Sequence, residues 1–241
     1  MTPLLHLNDV SRFFGALKAV DGVSVTVAAG EALGVIGPNG AGKTTLFNLV
    51  TGDVPSSRGQ IVFDGTDITR LPPHARSRLG IGRSYQIPHP FATMSVFENL
   101  LVGSIFGAGT SERASYATCS DILKLTGLYA KANVPARSLT LLQRKRLELA
   151  RALAMQPKLL LLDEIAGGLT EHECGELIET IKNIHSGGTT IVWIEHIVHA
   201  LVSVASRLVV MDFGQILAEG DPPAVMRDSR VREVYMGMPI S

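Results

Sequence analysis

The sequence has only two cysteines in 241 residues, Cys119 and Cys174, too few and too isolated for a disulfide framework or a paired-thiolate metal site. A reducing compartment fits that usage. Charged residues make up only 18%, against about 25% in an average domain. Lys+Arg 22 balances Asp+Glu 22, so no charge footprint points to nucleic acid or an acidic membrane. No apolar run approaches the ~18 residues of a membrane-crossing helix. The opening MTPLLHLNDVSRFF lacks the basic-then-apolar pattern of a signal peptide. Internal repeats and low-complexity tracts are also missing.

What is present is apolar. The 46% hydrophobic content excludes intrinsic disorder and collagen. The mean hydropathy of +0.24 implies a well-filled core, or a surface that docks on an apolar partner. At about 150 residues per domain, the length suits one or two domains.

Residues 3–27 read as two or three short strands, with Val23, Val25 and Val27 alternating against Ser24 and Thr26. ALGVI, Ala32 to Ile36, is a continuous apolar run, as in a fully buried strand. It stops at Gly37, and helical spacing follows from Gly42 to about Val50. QIVFD (60–64) suggests another strand. From about 87 to 157 helical periodicity dominates, and strand character returns at KLLLL (158–162), TTIVWI (189–194) and RLVVM (207–211). A helix over about 171–185 separates the first two, the pattern of a parallel sheet covered on both faces. The expectation is one α/β core built from two stretches of sequence, 1–86 and 157–241, with a helical subdomain inserted at 87–156.

Two segments carry chemistry. GPNGAGKT, Gly37 to Thr44, matches GxxxxGK[ST]. Chance would place that pattern in roughly one chain of this length in a hundred. It also sits between a buried strand and a helix, where such a loop can turn its amides inward around phosphates. Gly37, Pro38, Asn39, Gly40, Ala41, Gly42, Lys43, Thr44 and Thr45 are thus the expected nucleotide-binding set. Lys43 would reach the β- and γ-phosphates, and Thr44 would hold Mg²⁺. LLLLDE, Leu159 to Glu164, ends a buried strand in paired carboxylates. Asp163 would bind Mg²⁺, and Glu164 would orient or deprotonate an attacking water.

With these two segments in place, essentially the whole chain resembles the ATPase subunits of ABC transporters. The resemblance implies a P-loop NTPase (RecA-like) α/β core with an N-terminal antiparallel β subdomain and an inserted helical subdomain. It implies ATP and Mg²⁺ as cofactors and ATP hydrolysis coupled to transport. Gln86 in RSYQIPHPF matches the Q-loop glutamine, placed between the nucleotide's Mg²⁺ site and the membrane partner. His196 in WIEH matches the switch histidine at the γ-phosphate, a catalytic role shared with Glu164 and Lys43. Phe14 in RFFG matches the aromatic stacked on adenine. RSYQIPHPF, RKRLELARAL, LLLLDEIAGGL, IVWIEHIVHAL and a tail ending near VREVYMG further resemble the ATPases of branched-chain amino acid uptake, the LivG-like type.

The partners implied are a second ATPase subunit, identical or different, and transmembrane permeases, with a periplasmic binding protein acting indirectly. The implied location is peripheral, on the cytoplasmic face of the inner membrane. Permease contact is expected near Gln86 and along FATMSVFENLLVG. Two rival readings are a soluble ABC-type ATPase of DNA repair or the ribosome, and a regulatory subunit that binds ATP without turnover. The first lacks its usual coiled-coil, zinc or tandem insertions here.

Three departures stand out. The signature LSGGQ is LTLLQ, Leu139 to Gln143, in which Thr140 keeps the hydroxyl that faces a partner's nucleotide. Proline after the glutamate is Ile165, and the D-loop Gly167-Gly168-Leu169-Thr170 lacks its terminal aspartate. Residues 139–143 are expected in ordinary right-handed or extended conformations, with Leu141 and Leu142 packed against the subdomain or the partner. The basic run Arg144-Lys145-Arg146 reads as a solvated helix face, not a nucleic-acid site. His196 and His199 have helical metal-pair spacing but no third ligand nearby.

Overall fold

Strand alternation in the first residues becomes a sheet because each buried position needs a facing partner. In the computed structural model, which describes residues 2–236, β1 (Leu5–Phe14) and β2 (Leu17–Val27) pair antiparallel, with Leu5 opposite Val27 and Leu7 opposite Val25. These are two long strands with register shifts, where the sequence suggested two or three short ones. Val23, Val25 and Val27 are all buried. β3 (Ala32–Ile36) is buried throughout and leads into α1 (Lys43–Thr51). β4 (Arg58–Phe63) and β5 (Thr66–Asp67) complete a four-stranded antiparallel sheet in the order β2-β1-β4-β5.

The chain then forms α2 (Pro73–Leu79), β6 (Ile81–Ser84) and α3 (Val96–Val102), the last continued by a π-helical turn, Gly103–Gly107. Two longer helices follow, α4 (Glu112–Leu125) and α5 (Leu141–Ala154), then β7 (Leu159–Asp163) and α6 (Glu171–Ser186). β7 runs parallel to β6, with Arg83 opposite Leu161. The last stretch brings β8 (Thr190–Ile194), α7 (Val198–Val202), β9 (Arg207–Asp212), β10 (Gln215–Gly220), α8 (Pro222–Val225) and α9 (Ser229–Met236). Gly237 of the VREVYMG stretch lies outside the described residues.

Two compact units result. One joins the described residues up to Pro73 with those from Thr190 onward; the other is His74–Thr189. In the first, β3 lies parallel between β8 and β9, so strands distant in sequence share one sheet, and β10 closes its edge antiparallel to β9. In the second, the helices bury an apolar set that includes Leu100, Cys119, Leu123, Leu147 and Leu149. Among the described residues no helix is long and apolar enough to cross a membrane.

β6, α2 and β10 were not legible as elements. β6 buries Arg83 and Ser84 rather than an apolar alternation, and β10 is a half-exposed edge strand.

Candidate functional site

In the first unit, the buried β3 ends at Gly37 and delivers the loop to the start of α1. A side chain at Gly37 would meet the Met211 carbonyl at 2.2 Å, so the loop lies directly on β9. Gly42, the N-cap of α1, has φ 97° and offers no side-chain cap. A Cβ there would meet the Ala19 carbonyl at 2.2 Å, which requires glycine twice over. The loop is pinned from below: Gly214 donates to the Ala41 carbonyl, and Asp21 donates to the Gly214 carbonyl.

A helix N-terminus without a side-chain cap, opening from a glycine-rich loop, presents amides and partial positive charge to an anion. Lys43 is buried, and its Nζ donates to the carbonyls of Gly37 at 2.7 Å and Pro38 at 3.0 Å. The ammonium is therefore folded over the loop, where a triphosphate would lie. Thr44 is exposed and Thr45 half-buried in the first turn of α1. These features fit a nucleotide. The Thr44 hydroxyl in this unit is an oxygen donor of the kind a hard divalent cation takes, and so, taken separately, are Gln86 and Asp163 in the other unit.

Phe14 ends β1, 45% exposed, with the Arg12 guanidinium 4.4 Å from its ring centroid. His196 stands two residues past the end of β8 and is exposed, while the intervening Glu195 is buried and accepts the His196 backbone N–H at 3.2 Å.

In the second unit, β7 carries the two carboxylates. Asp163 is its last residue, buried, with its Oδ2 2.6 Å from Arg83 Nη2 on β6. Glu164 adopts φ 47°, the left-handed region. A non-glycine residue held there costs about 1–2 kcal/mol. The two neighbouring carboxylates have different partners: Gln86 Nε2 donates to Glu164 Oε2 at 2.6 Å. The structure thus brings together Gln86 and Glu164, and separately Asp163 and an arginine that the sequence reading did not single out. The signal for Arg83 was a charged residue in the short segment between Gly80 and the RSYQIPHPF glutamine.

The substituted motifs have local duties. Thr140 is the N-cap of α5: its Oγ1 accepts the Gln143 N–H at 3.4 Å, and Gln143 Oε1 accepts the Thr140 N–H at 3.1 Å. Thr170, standing where the D-loop aspartate would be, caps α6 in the same way with Glu173. The Thr170 N–H in turn holds the Glu173 carboxyl below its usual range. Both are T-x-x-Q/E capping boxes, a readable signal that motif matching passed over. Residues 139–143 have right-handed or extended backbone, as expected. Leu142 is buried, but Leu141 is 46% exposed rather than packed within the subdomain. Ile165 is buried.

The basic run is not a solvated face. Arg144 is exposed, Arg146 pairs with Glu176 at 2.8 Å, and Lys145 is only 4% exposed. The helix turns Lys145 inward, on the face it shares with Glu148.

A family model for ABC transporters matches residues 20–167. A probable branched-chain amino acid transport ATP-binding protein LivG from Archaeoglobus fulgidus is 34% identical, covering 97% of this chain and 95% of its own. The lipopolysaccharide export ATP-binding protein LptB of Escherichia coli is 33% identical, covering 97% of each chain. A crystal structure of an ABC transporter's ATP-binding cassette in its ADP conformation superposes with a TM-score of 0.90 at 32% identity, over 99% of this chain and all of that one. With its P-loop NTPase α/β fold and its phosphate loop, the chain belongs to the ABC transporter family, as an ATP-binding, ATP-hydrolysing cassette.

Proposed function

We propose that this chain energises an importer for branched-chain or other hydrophobic amino acids. The observation that carries the catalytic part is the 2.6 Å bond from Gln86 to Glu164. The Gln86 amide fixes the Glu164 carboxylate, the group that orients water for in-line attack on the γ-phosphate of ATP. Lys43 and the loop amides offset the charge that develops, so the rate comes mainly from positioning and electrostatics. His196 contacts the γ-phosphate, and Phe14 stacks on adenine. Thr44, Gln86 and Asp163 would hold Mg²⁺, which would supply positive charge to the phosphates. Residues 1–86 and 157–241 serve as the nucleotide core, and 87–156 presents the signature, with Thr140 facing the nucleotide of a second ATPase subunit.

Permease contact falls on the exposed side chains around the Q-loop: Tyr85, Ile87 and Phe91, with Phe106 beyond the FATMSVFENLLVG stretch. In this reading the subunit works peripherally on the cytoplasmic face, downstream of a periplasmic binding protein. Nucleic acid has no place in it, since net charge is zero and Lys145 is buried.

The import reading draws support from the LivG relative and from the quoted LivG-like stretches. The similarity to LptB makes lipopolysaccharide the competing cargo. Co-purification with candidate permeases, followed by ATPase assay, separates them. Stimulation by an amino-acid-loaded binding protein is expected; stimulation by lipopolysaccharide alone would overturn the substrate assignment.

A further inference from the structure

The segment after Gln86 runs Ile87-Pro88-His89-Pro90-Phe91. Its two prolines have no N–H, so it cannot join a helix or a sheet interior. It belongs to no regular element, yet the backbone groups of His89 and Phe91 are held by side chains of the helical subdomain. At Phe91, the N–H donates to Asn99 Oδ1 at 2.8 Å and the carbonyl accepts from Asn99 Nδ2 at 3.1 Å. Asn99 sits on α3 with no exposed surface.

At His89, the N–H is accepted by the Glu148 carboxylate, and the carbonyl accepts from Arg151 Nη1 at 2.8 Å. Glu148 and Arg151 lie one turn apart on α5 and pair with each other at 3.1 Å. The Arg151 guanidinium also lies 5.0 Å from the centroid of the Phe91 ring. At Gln86 itself, Lys145 Nζ reaches the carbonyl at 3.5 Å. Lys145, Glu148 and Arg151 are three residues apart and so form one stripe of α5, the helix capped by Thr140.

We propose that Asn99, Glu148 and Arg151 are positioning residues that grip the backbone at residues 89 and 91, so that the Q-loop moves as part of the helical subdomain and holds the Gln86 amide on Glu164. The inference rests on the functional reading above. It extends that reading to a path inside one unit: signature cap, α5, residues 86–91, Gln86, Glu164. Glu148 occupies this place against its own solvation preference. Burial pushes its carboxyl above the usual range, only partly countered by Arg151 and the His89 N–H.

The prolines make the test clean, because the 87–91 segment carries amide hydrogens only at 87, 89 and 91. Hydrogen exchange of the full chain, read by mass spectrometry or NMR, should show protection at His89 and Phe91. Glu148→Ala should speed exchange at His89 by about tenfold or more. It should also lower kcat for ATP about tenfold with KM within twofold. Arg151→Lys keeps a cation but loses the fork, and should fall between. If Glu148→Ala fails to fold, Arg151→Lys is judged on the same readouts. Arg146→Gln, on another face of α5, is the control and should leave both readouts unchanged.

Wild-type exchange at His89 in Glu148→Ala would overturn the proposal, as would faster exchange with kcat unchanged. A wild-type chain that binds ATP without turnover would sink the functional reading, and the grip would then stand or fall on exchange alone.

Discussion

Arg83→Met tests whether the aspartate at the end of β7 depends on its buried arginine. The ion pair is 2.6 Å long, and the two side chains are only 5% and 4% exposed. Two unit charges with centres about 4 Å apart attract by about 4 kcal/mol at an effective dielectric of about 20. Desolvation consumes much of that gain while both partners are present, so the pair adds little net stability. Removing one partner is different, because it strands the other charge in a dry site at a cost of about 3–5 kcal/mol. Arg83→Met should therefore lower the urea midpoint at constant slope and lower Tm by roughly 6–20 °C. Arg83→Met combined with Asp163→Leu removes both charges and should recover most of the loss. Destabilisation below about 1 kcal/mol in the single variant would refute the reasoning, since Asp163 would then be sustained by something other than Arg83.

Further outcomes follow from the same geometry. Glu164→Gln keeps the shape and removes the charge; it should abolish turnover while ATP binding, measured by titration calorimetry, survives. Phe14→Ala removes a stacking surface worth about 1–3 kcal/mol; ATP affinity should fall between about fivefold and a hundredfold, and an unchanged affinity would detach Phe14 from the nucleotide. Leu141→Gly alters an exposed residue at the start of α5 and should change turnover of the assembled transporter less than about tenfold. Leu142→Gly empties a buried position and should cost about 2–5 kcal/mol in denaturant unfolding. Asp67 is held down to about 2, chiefly by the Thr69 hydroxyl. Its contribution to stability is fully present above its ordinary value of 3.8 and is lost as pH falls toward 2, so Asp67→Asn should flatten the acid limb of the stability profile.

The nucleotide-binding loop was legible from sequence because its chemistry is local. A glycine with φ 97°, a lysine and a hydroxyl stand consecutively between a buried strand and a helix, and eight letters specify all of it. The strand of leucines ending in two acids was legible for the same reason. The caps at Thr140 and Thr170 were equally local and could have been read from T-x-x-Q and T-x-x-E. Arg83, Lys145, Glu148 and Arg151 were not legible. Their letters promise solvent, and a run such as Arg144-Lys145-Arg146 says nothing about which member turns inward. That depended on where α5 packs relative to a proline-interrupted segment some 60 residues earlier, whose carbonyls at 86 and 89 accept from Lys145 and Arg151. The sequence alone thus determined the fold class and the phosphate chemistry, because both follow from contiguous patterns. Only the tertiary structure decided which charges are buried and what they hold, because a buried charge is set by the partner it meets, and that partner comes from elsewhere in the chain.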